Sequence, residues 1–484
     1  IYPRTPQSTP DGPRRRDTVI RHGWLFKNGW VDLPIREKDY ERRQDIAGYF
    51  RKRALIELFA EEGWNGLLRL ANHTHGGWII GPLVVDACTS LEDAIEWLTT
   101  SAGELDRGHE TTNIAAGVFG RAIGQEGHGV IQRVFSAADR NGRDKSWKTR
   151  LILLAPEVKA TWDIVETLEA SEQDHYWRSC TGQIWDRDDP SHLQYALEKL
   201  LQANRPVTAL KVCHIDFSGI DPEMVMLMLE GFLQGIERDS SLPASYYIQH
   251  AIDHVEASGQ IDRMRLAKLE FALIKALGFD GEHHAASLYT VLMSQPEVFV
   301  ELLCLLYKPR NGVAEEGDEN KKYAAENAWT ILHACSRQPG TLPDGTVTAE
   351  ATSTFVKKVR ELAKEADRLE ACDSQLGEII ARGRADADGV FPSEPFRDVI
   401  ESVGTDQIFN GFEVGCFNKR GVTMRSPFDG GDQERTLAAQ YRANAQALQF
   451  THPRLAASLE NMAKSYDRHG HSEDLEARLR REGH

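Results

Sequence analysis

The chain has 484 residues, of which 41% are hydrophobic and 27% charged, and a formal net charge of −16. That profile is globular and long enough for several domains or one extended repeat array. The acidic balance argues against general nucleic-acid binding, which needs clustered Lys and Arg to neutralise phosphates. The most apolar run, "WIIGPLVVDAC", falls short of the roughly 18 residues of a membrane helix and contains a proline.

The first residue is Ile and no signal-peptide pattern follows, so the chain reads as a piece of a longer protein whose upstream domains are partners of this region. Residues 1–30 form a basic arm, and "PRRR" (13–16) and "FRKR" (50–53) make the first fifty-odd residues net basic. This arm is the one place where contact with nucleic acid or an acidic partner is expected, against the plainer reading of a solvated arm and a polar helix face.

Helical periodicity then dominates. "RRQDIAGYFRKRALIELFAEEGW" reads as a long helix. The densest glycine cluster, "GVFGRAIGQEGHG" (117–129), has no Gly-x-x-x-x-Gly-Lys-Ser/Thr string to wrap a phosphate. In "GHGVIQ", Gln132 stands where a dinucleotide-binding turn needs its third glycine. Gly117, Gly120 and Gly124 recur at i, i+3 and i+7 instead, which predicts a helix face packed close to a neighbour. "RLILLAP" fits a short strand or a buried helical turn.

In "HLQYALEKLLQANRPVTALKVC" (192–213), Leu193, Leu197, Leu200 and Leu201 share one face; Asn-Arg-Pro ends the helix and Pro206 opens the next. Asp221 caps a further helix with Pro222 behind it. "TSTFVKKVRELAKEADRLEA" places Phe355, Val359, Leu362, Ala366 and Leu369 at helical spacing. Near the end, Asp432 is placed as an N-cap and Glu434 in the first turn, followed by a stripe of Leu437, Tyr441, Ala445 and Leu448. Thr451 is placed as the cap of the last helix, whose buried face is Leu455, Leu459, Met462 and Tyr466. The two stripes predict an antiparallel hairpin.

Alternating β-branched stretches are scarce, so the chain is all-α. Consecutive helical hairpins with no strict 33-, 34- or 40-residue period point to an irregular α-solenoid, with two packed helical bundles as the alternative. The expected organisation is the arm 1–30, a helical array over 31–240, a second over 241–390 with a mobile loop at 308–322, and capping helices over 391–484. The seven cysteines are scattered, odd in number and without a C-x-x-C pair, the usage of buried free thiols in a reducing cytoplasm.

Catalytic strings are missing: there is no G-x-S-x-G elbow, and no cysteine carries a catalytic signature. "HAIDH" sets His250 and His254 one helical turn apart, a spacing that suits two ligands of one metal, but without the Glu of an H-E-x-x-H motif. "NHTHGG" (His73, His75) and "GEHHAA" (His283, His284) are other candidate donors with nothing to bring them together. Lys419, Arg420 and Arg425 in "NKRGVTMR" frame a basic loop, a candidate grip on an acidic partner or an ordinary connector held by local ion pairs.

The stretch "NKRGV…R…DGGDQERTLAAQYR" with "HPRLAASLENMAKSYD" resembles the end of large bacterial multidomain proteins. "ALEKLLQANRPVTALKV" is similar to the helical arrays attached to signal-transducing NTPases, including those of antiviral defence. The resemblance covers residues 190–484 and implies that NTPase and effector parts lie upstream while the helical array senses a trigger protein. No Walker motif is present, so it implies the sensor side without the motor. The expected function is a non-catalytic protein-binding sensor or scaffold with no cofactor; the alternative is a metal-dependent hydrolase centred on His250 and His254. Limited proteolysis should cut first within "KPRNGVAEEGDENKK" (308–322), and resistance there would count against the loop assignment.

Overall fold

Helix punctuation in the sequence sets the element order. The computed structural model describes every residue except 1–16, 32, 34–38, 107, 185–188, 236, 238–244, 278–284, 313–318, 343, 422–425, 427–428 and 483–484. The chain is all-α: the described residues form 23 α-helices, one 3₁₀ turn and a single isolated bridge between Glu157 and Ile184. "RLILLAP" is therefore the end of a helix and the turns after it, not a strand.

Two compact units divide at Val212 and Cys213. The first holds α1 (Thr18–His22), the 3₁₀ turn Gly23–Leu25, α2 (Tyr40–Thr74), α3 (Gly77–Ala87), α4 (Leu91–Thr100), α5 (Glu110–Glu126) and α6 (Gly129–Arg140). It continues with α7 (Lys145–Ile152), α8 (Lys159–Val165), α9 (Ala170–Ser179), α10 (Pro190–Gln202) and α11 (Pro206–Cys213). The second holds α12 (Pro222–Leu233), α13 (Ser245–Ser258), α14 (Arg263–Leu277), α15 (Ala286–Ser294), α16 (Pro296–Leu306) and α17 (Glu319–Ala334). Then come α18 (Ala349–Glu365), α19 (Leu369–Ala381), α20 (Glu394–Val403), α21 (Asp406–Lys419), α22 (Asp432–Leu448) and α23 (Pro453–Glu482).

Short polar side chains start these helices by accepting from free first-turn N–H groups: Asp39 for α2, Ser90 for α4, Asp144 for α7, Asp189 for α10, Asp221 for α12, Thr348 for α18 and Thr405 for α21. Gly63, at φ 60° and ψ −146°, breaks α2 into two segments. The Phe355 stripe ends earlier than its spacing suggests. Asp367 adopts φ 56°, so Leu369 opens α19 instead of extending α18. In loop 308–322 the centre lies outside the described residues; on its near side Asn311 N–H donates to Asp367 at 2.8 Å and Arg310 pairs with Glu370 at 2.5 Å.

Helices pack on near neighbours in the chain: α3 on α2 and α5, α13 on α12 and α14, α18 on α16 and α19, α22 on α23. The terminal hairpin forms with its stripes facing, Tyr441 stacked on Tyr466 at 5.7 Å beside buried Ala438 and Ala463. Gly431, not Asp432, is the residue before α22, and Thr451 bonds His452 instead of capping α23.

Two crossings bring helix backbones into contact. A Cβ on Gly117 (α5) would stand 2.5 Å from Pro82 Cδ and 2.8 Å from Gly81 Cα of α3. On α21, a Cβ at Gly411 would collide with the Ser374 carbonyl of α19. Gly120 and Gly124 meet nothing within 4 Å, so only Gly117 of the i, i+3, i+7 set makes the close contact that the spacing predicts. The seven cysteines are all free thiols, five of them buried. No single helix among the described residues is long and apolar enough to cross a membrane.

Gly117→Ala should destabilise the fold by about 1–3 kcal/mol through overpacking. Gly120→Ala, in the same helix but facing open space, should be neutral or stabilise by up to about 1 kcal/mol. Chemical denaturation of the two variants checks the contrast, and equal effects would refute the crossing.

Candidate functional site: an exposed aromatic and basic face

The segment from α1 through the first half of α2 is built by polar contacts that leave its aromatic side chains outside. Asp17 caps α1 by accepting from Val19 N–H at 3.0 Å. Thr18 Oγ1 then donates to Glu61 at 2.7 Å, while Arg21 and His22 meet the two oxygens of Glu57 at 2.5 and 2.9 Å, fastening α1 along α2. Partial burial works against the Glu57 charge, but the His22 and Arg21 contacts outweigh it and hold the carboxyl below its usual range.

Arg51 is the anchor. The residue is 8% exposed, and its guanidinium donates to the carbonyls of Leu25, Asn28 and Gly29, each at 2.9 Å. Three carbonyls of a turn with few backbone partners are thereby satisfied from within a helix. Burial lowers the Arg51 pKa from its ordinary value, and the carbonyl bonds suit its charged form.

The anchored turn presents Trp30, which stacks on Tyr40 at 5.5 Å with the Arg43 guanidinium 5.3 Å from its ring. Gly29 lies against Trp78. On α2, Ala47, Ala54, Leu55 and Leu58 point inward, so helical geometry turns Tyr49, Arg53 and Ile56 (i, i+4, i+7) to the opposite side. Phe50 packs edge-on against Tyr49 at 5.7 Å, and Arg53 lies over the Tyr49 ring at 5.9 Å.

Ile20, Trp24, Trp30, Tyr40, Tyr49, Phe50, Ile56 and Trp78 are each 40–69% exposed. Eight of the 23 exposed large apolar side chains among the described residues thus fall within residues 20–78. Scattered exposed apolar residues are ordinary; this density is not. In sequence, residues 1–53 carry 13 Lys and Arg against 7 Asp and Glu, but six of those cations lie outside the described residues, and the described part of 17–62 has seven cations and seven acids. Aromatic residues and arginine are the types enriched at protein interfaces.

The residues singled out by sequence lie elsewhere. His254 Nε2 sits 3.0 Å from the Ile220 carbonyl, with its ring against Phe217, while His250 is exposed. Among the described residues, no group of three or more His, Cys, Asp or Glu is arranged to hold a metal ion. His73 is exposed, and His75 ends α2 in the left-handed region at φ 54°. His283 and His284 lie outside the described residues.

Lys419 and Arg420 bond to neighbouring parts of the fold. The Lys419 ammonium donates to the Gly383 carbonyl and lies 4.7 Å from the Phe391 ring; partial burial of the group lowers its pKa. Arg420 pairs at 2.6 Å with Glu434, itself 1% exposed, and lies over Tyr466. These two basic residues therefore join α21 to its neighbours, as local connectors do. Arg425 lies outside the described residues.

The net basic N-terminus was the sequence signal for this face, but its aromatic half was not legible. Tyr49 and Phe50 inside a helical run look like core residues until the buried side of α2 is known.

Arg51→Ala should cost about 2–3 kcal/mol by leaving buried carbonyls unsatisfied. Tyr49→Ala and Ile56→Ala should stay within about 0.5 kcal/mol of the parent. Thermal denaturation distinguishes them, and a large loss from the α2 surface substitutions would mean that the stripe is covered. No family model, curated protein or solved structure matches this chain.

Proposed function

We propose that this chain is a non-catalytic protein-binding module, a sensor or scaffold region of a larger bacterial multidomain protein, and that it docks its partner on the exposed aromatic side chains of α1, α2 and the turn between them. The observation that carries the reading is the concentration of exposed Trp, Tyr, Phe and Ile within residues 20–78. Burying such side chains supplies about 25 cal/mol per Å² of apolar surface, and rigid aromatic rings lose little rotamer entropy on docking.

Charge selects the partner class. A net basic segment beside exposed aromatics fits a protein surface with an apolar centre and an acidic rim. Single-stranded nucleic acid also uses aromatic stacking and cationic side chains, but a long polyanion would meet repulsion from a chain of net charge −16. The chain-local pairing of helices supports an array of helical hairpins, an architecture suited to displaying extended binding surfaces.

The test is affinity capture with the purified chain and with a Tyr49→Ser/Phe50→Ser/Ile56→Ser variant, from bacterial lysate with and without phage infection. The expected result is one protein recovered in near-stoichiometric amount by the parent, weakened at high salt and lost with the variant. Capture of nucleic acid alone, or of the same proteins by both chains, would overturn the assignment.

A further inference from the structure

The second unit carries an open groove of about 550 Å³ between α16 and α18. Its α16 wall is Glu297, Val300, Glu301, Cys304 and Leu305, spaced i, i+3, i+4, i+7 and i+8, which is one face of a helix. Its α18 wall is Leu362, Glu365 and Ala366, at i, i+3 and i+4. The Phe299 ring meets Phe355 edge-on at 6.1 Å near one end, and Arg368 donates to the Tyr307 carbonyl at 2.8 Å near the other, so the two helices lie side by side. α16 has 11 residues, about 16 Å at roughly 1.5 Å per residue, a length that seats about three turns of another helix.

The floor of the groove is apolar. Val300 is buried, Cys304, Leu362 and Ala366 are half-buried, and Leu305 is 40% exposed.

The charge lining the groove has one sign. Glu297, Glu301 and Glu365 are exposed, and their carboxylates have no hydrogen bond or ion pair among the described residues. No Lys or Arg lines the groove. In the adjoining cavity, which shares Glu297, Lys358 stands with Glu350, and its ammonium lies 3.5 Å from Glu361. The two linings together hold four glutamates and one lysine. Lys357 and Lys364 project from the side of α18 opposite Ala366. At the far end, Lys308, Arg310 and Arg368 lie outside the lining; Arg310 pairs with Glu370, and Arg368 donates to the Tyr307 and Ala366 carbonyls.

We propose that this groove docks a basic amphipathic helix of a partner protein. Apolar side chains at i, i+3, i+4 and i+7 of that helix lie on the floor, and flanking Lys or Arg meet Glu297 and Glu301 on one wall and Glu365 on the other. Burial of apolar surface supplies affinity, and the glutamates select against acidic helices. A second copy of this chain docking by the same face would set these glutamates against their own counterparts, which disfavours self-pairing. The groove lies in the second unit and does not rest on the aromatic face of the first.

Fluorescence anisotropy on the full chain tests this with a labelled peptide that repeats leucine at i, i+3, i+4 and i+7 among lysines, against a counterpart with glutamate in place of lysine. The expected result is one Leu–Lys peptide bound per chain and no uptake of the Leu–Glu peptide. Glu297→Gln/Glu301→Gln/Glu365→Gln should weaken binding about tenfold, and Leu305→Ser should weaken it as well. Both variants should keep the melting temperature of the parent, since all four side chains are exposed. Glu96→Gln/Glu198→Gln/Glu476→Gln makes the same charge change at exposed positions elsewhere and should leave binding intact, as should Tyr49→Ser/Phe50→Ser/Ile56→Ser. Equal loss with the two glutamine triples would mean attraction to net charge alone and would overturn the proposal. No binding at millimolar peptide would overturn it too, as would a dimer of the chain that Leu305→Ser dissolves.

Discussion

The arrangement depends on one recurring interaction: a basic side chain donating to carbonyls that the end of another helix leaves unpaired. The last four carbonyls of an α-helix have no intrahelical partner, and that end carries partial negative charge. Arg143 donates to Thr99 and Thr100 at the end of α4, Arg205 to Cys180 at the end of α9, Arg368 to Tyr307 after α16, and Arg382 to Leu332 and Cys335 at the end of α17. Lys419 does the same for Gly383 after α19. Each bond satisfies a helix terminus and ties to it the turn, or for Lys419 the helix end, that supplies the cation. Hydrogen bonds to charged groups contribute about 1.5–3 kcal/mol, so a few of them weigh heavily in helices of only two to five turns.

This use of arginine explains why apolar stripes alone do not define the packing. Stripes say which face is buried but leave the sliding of one helix along another weakly determined. Carbonyl contacts at helix ends fix that sliding, and the glycine crossings fix the distance. At Gly117 and Gly411 the partner backbone occupies the space a side chain would need, so the α3–α5 and α19–α21 pairs approach more closely than Leu-lined helices do. The turn after α19 is then held by Lys419, Arg382 and the close α19–α21 contact together.

Much of the helix order was legible because start signals are local. Asp189 before Pro190 and Asp221 before Pro222 announce their helices in four residues, and the structure starts them there. The terminal hairpin was legible for the same reason, as two stripes separated by a short break. What escaped depended on distant chain. Whether Lys419 faces a partner or a carbonyl 36 residues away is not encoded in "NKRGVTMR". Asp367 ends α18 through a left-handed conformation that periodicity cannot detect, and Gly120 shares the spacing of Gly117 but faces open space. The aromatic face is a property of exposure, so the residue types of Tyr49, Phe50 and Ile56 alone do not reveal it.

The same accounting separates surface chemistry from structural chemistry in a chain with 57 basic residues. A basic residue whose donors are met by carbonyls or a buried carboxylate, such as Arg51, Arg205 or Arg420, is explained by the fold. Arg382 and Lys419 belong to the same class. Trp30 and Tyr49 differ: Arg43 and Arg53 lie over their rings, yet both rings stay at least half exposed, so packing within the fold does not account for them. A partner that buried those rings would remove apolar surface from water and leave the cations at its margin, which is why an apolar surface with an acidic rim fits this face.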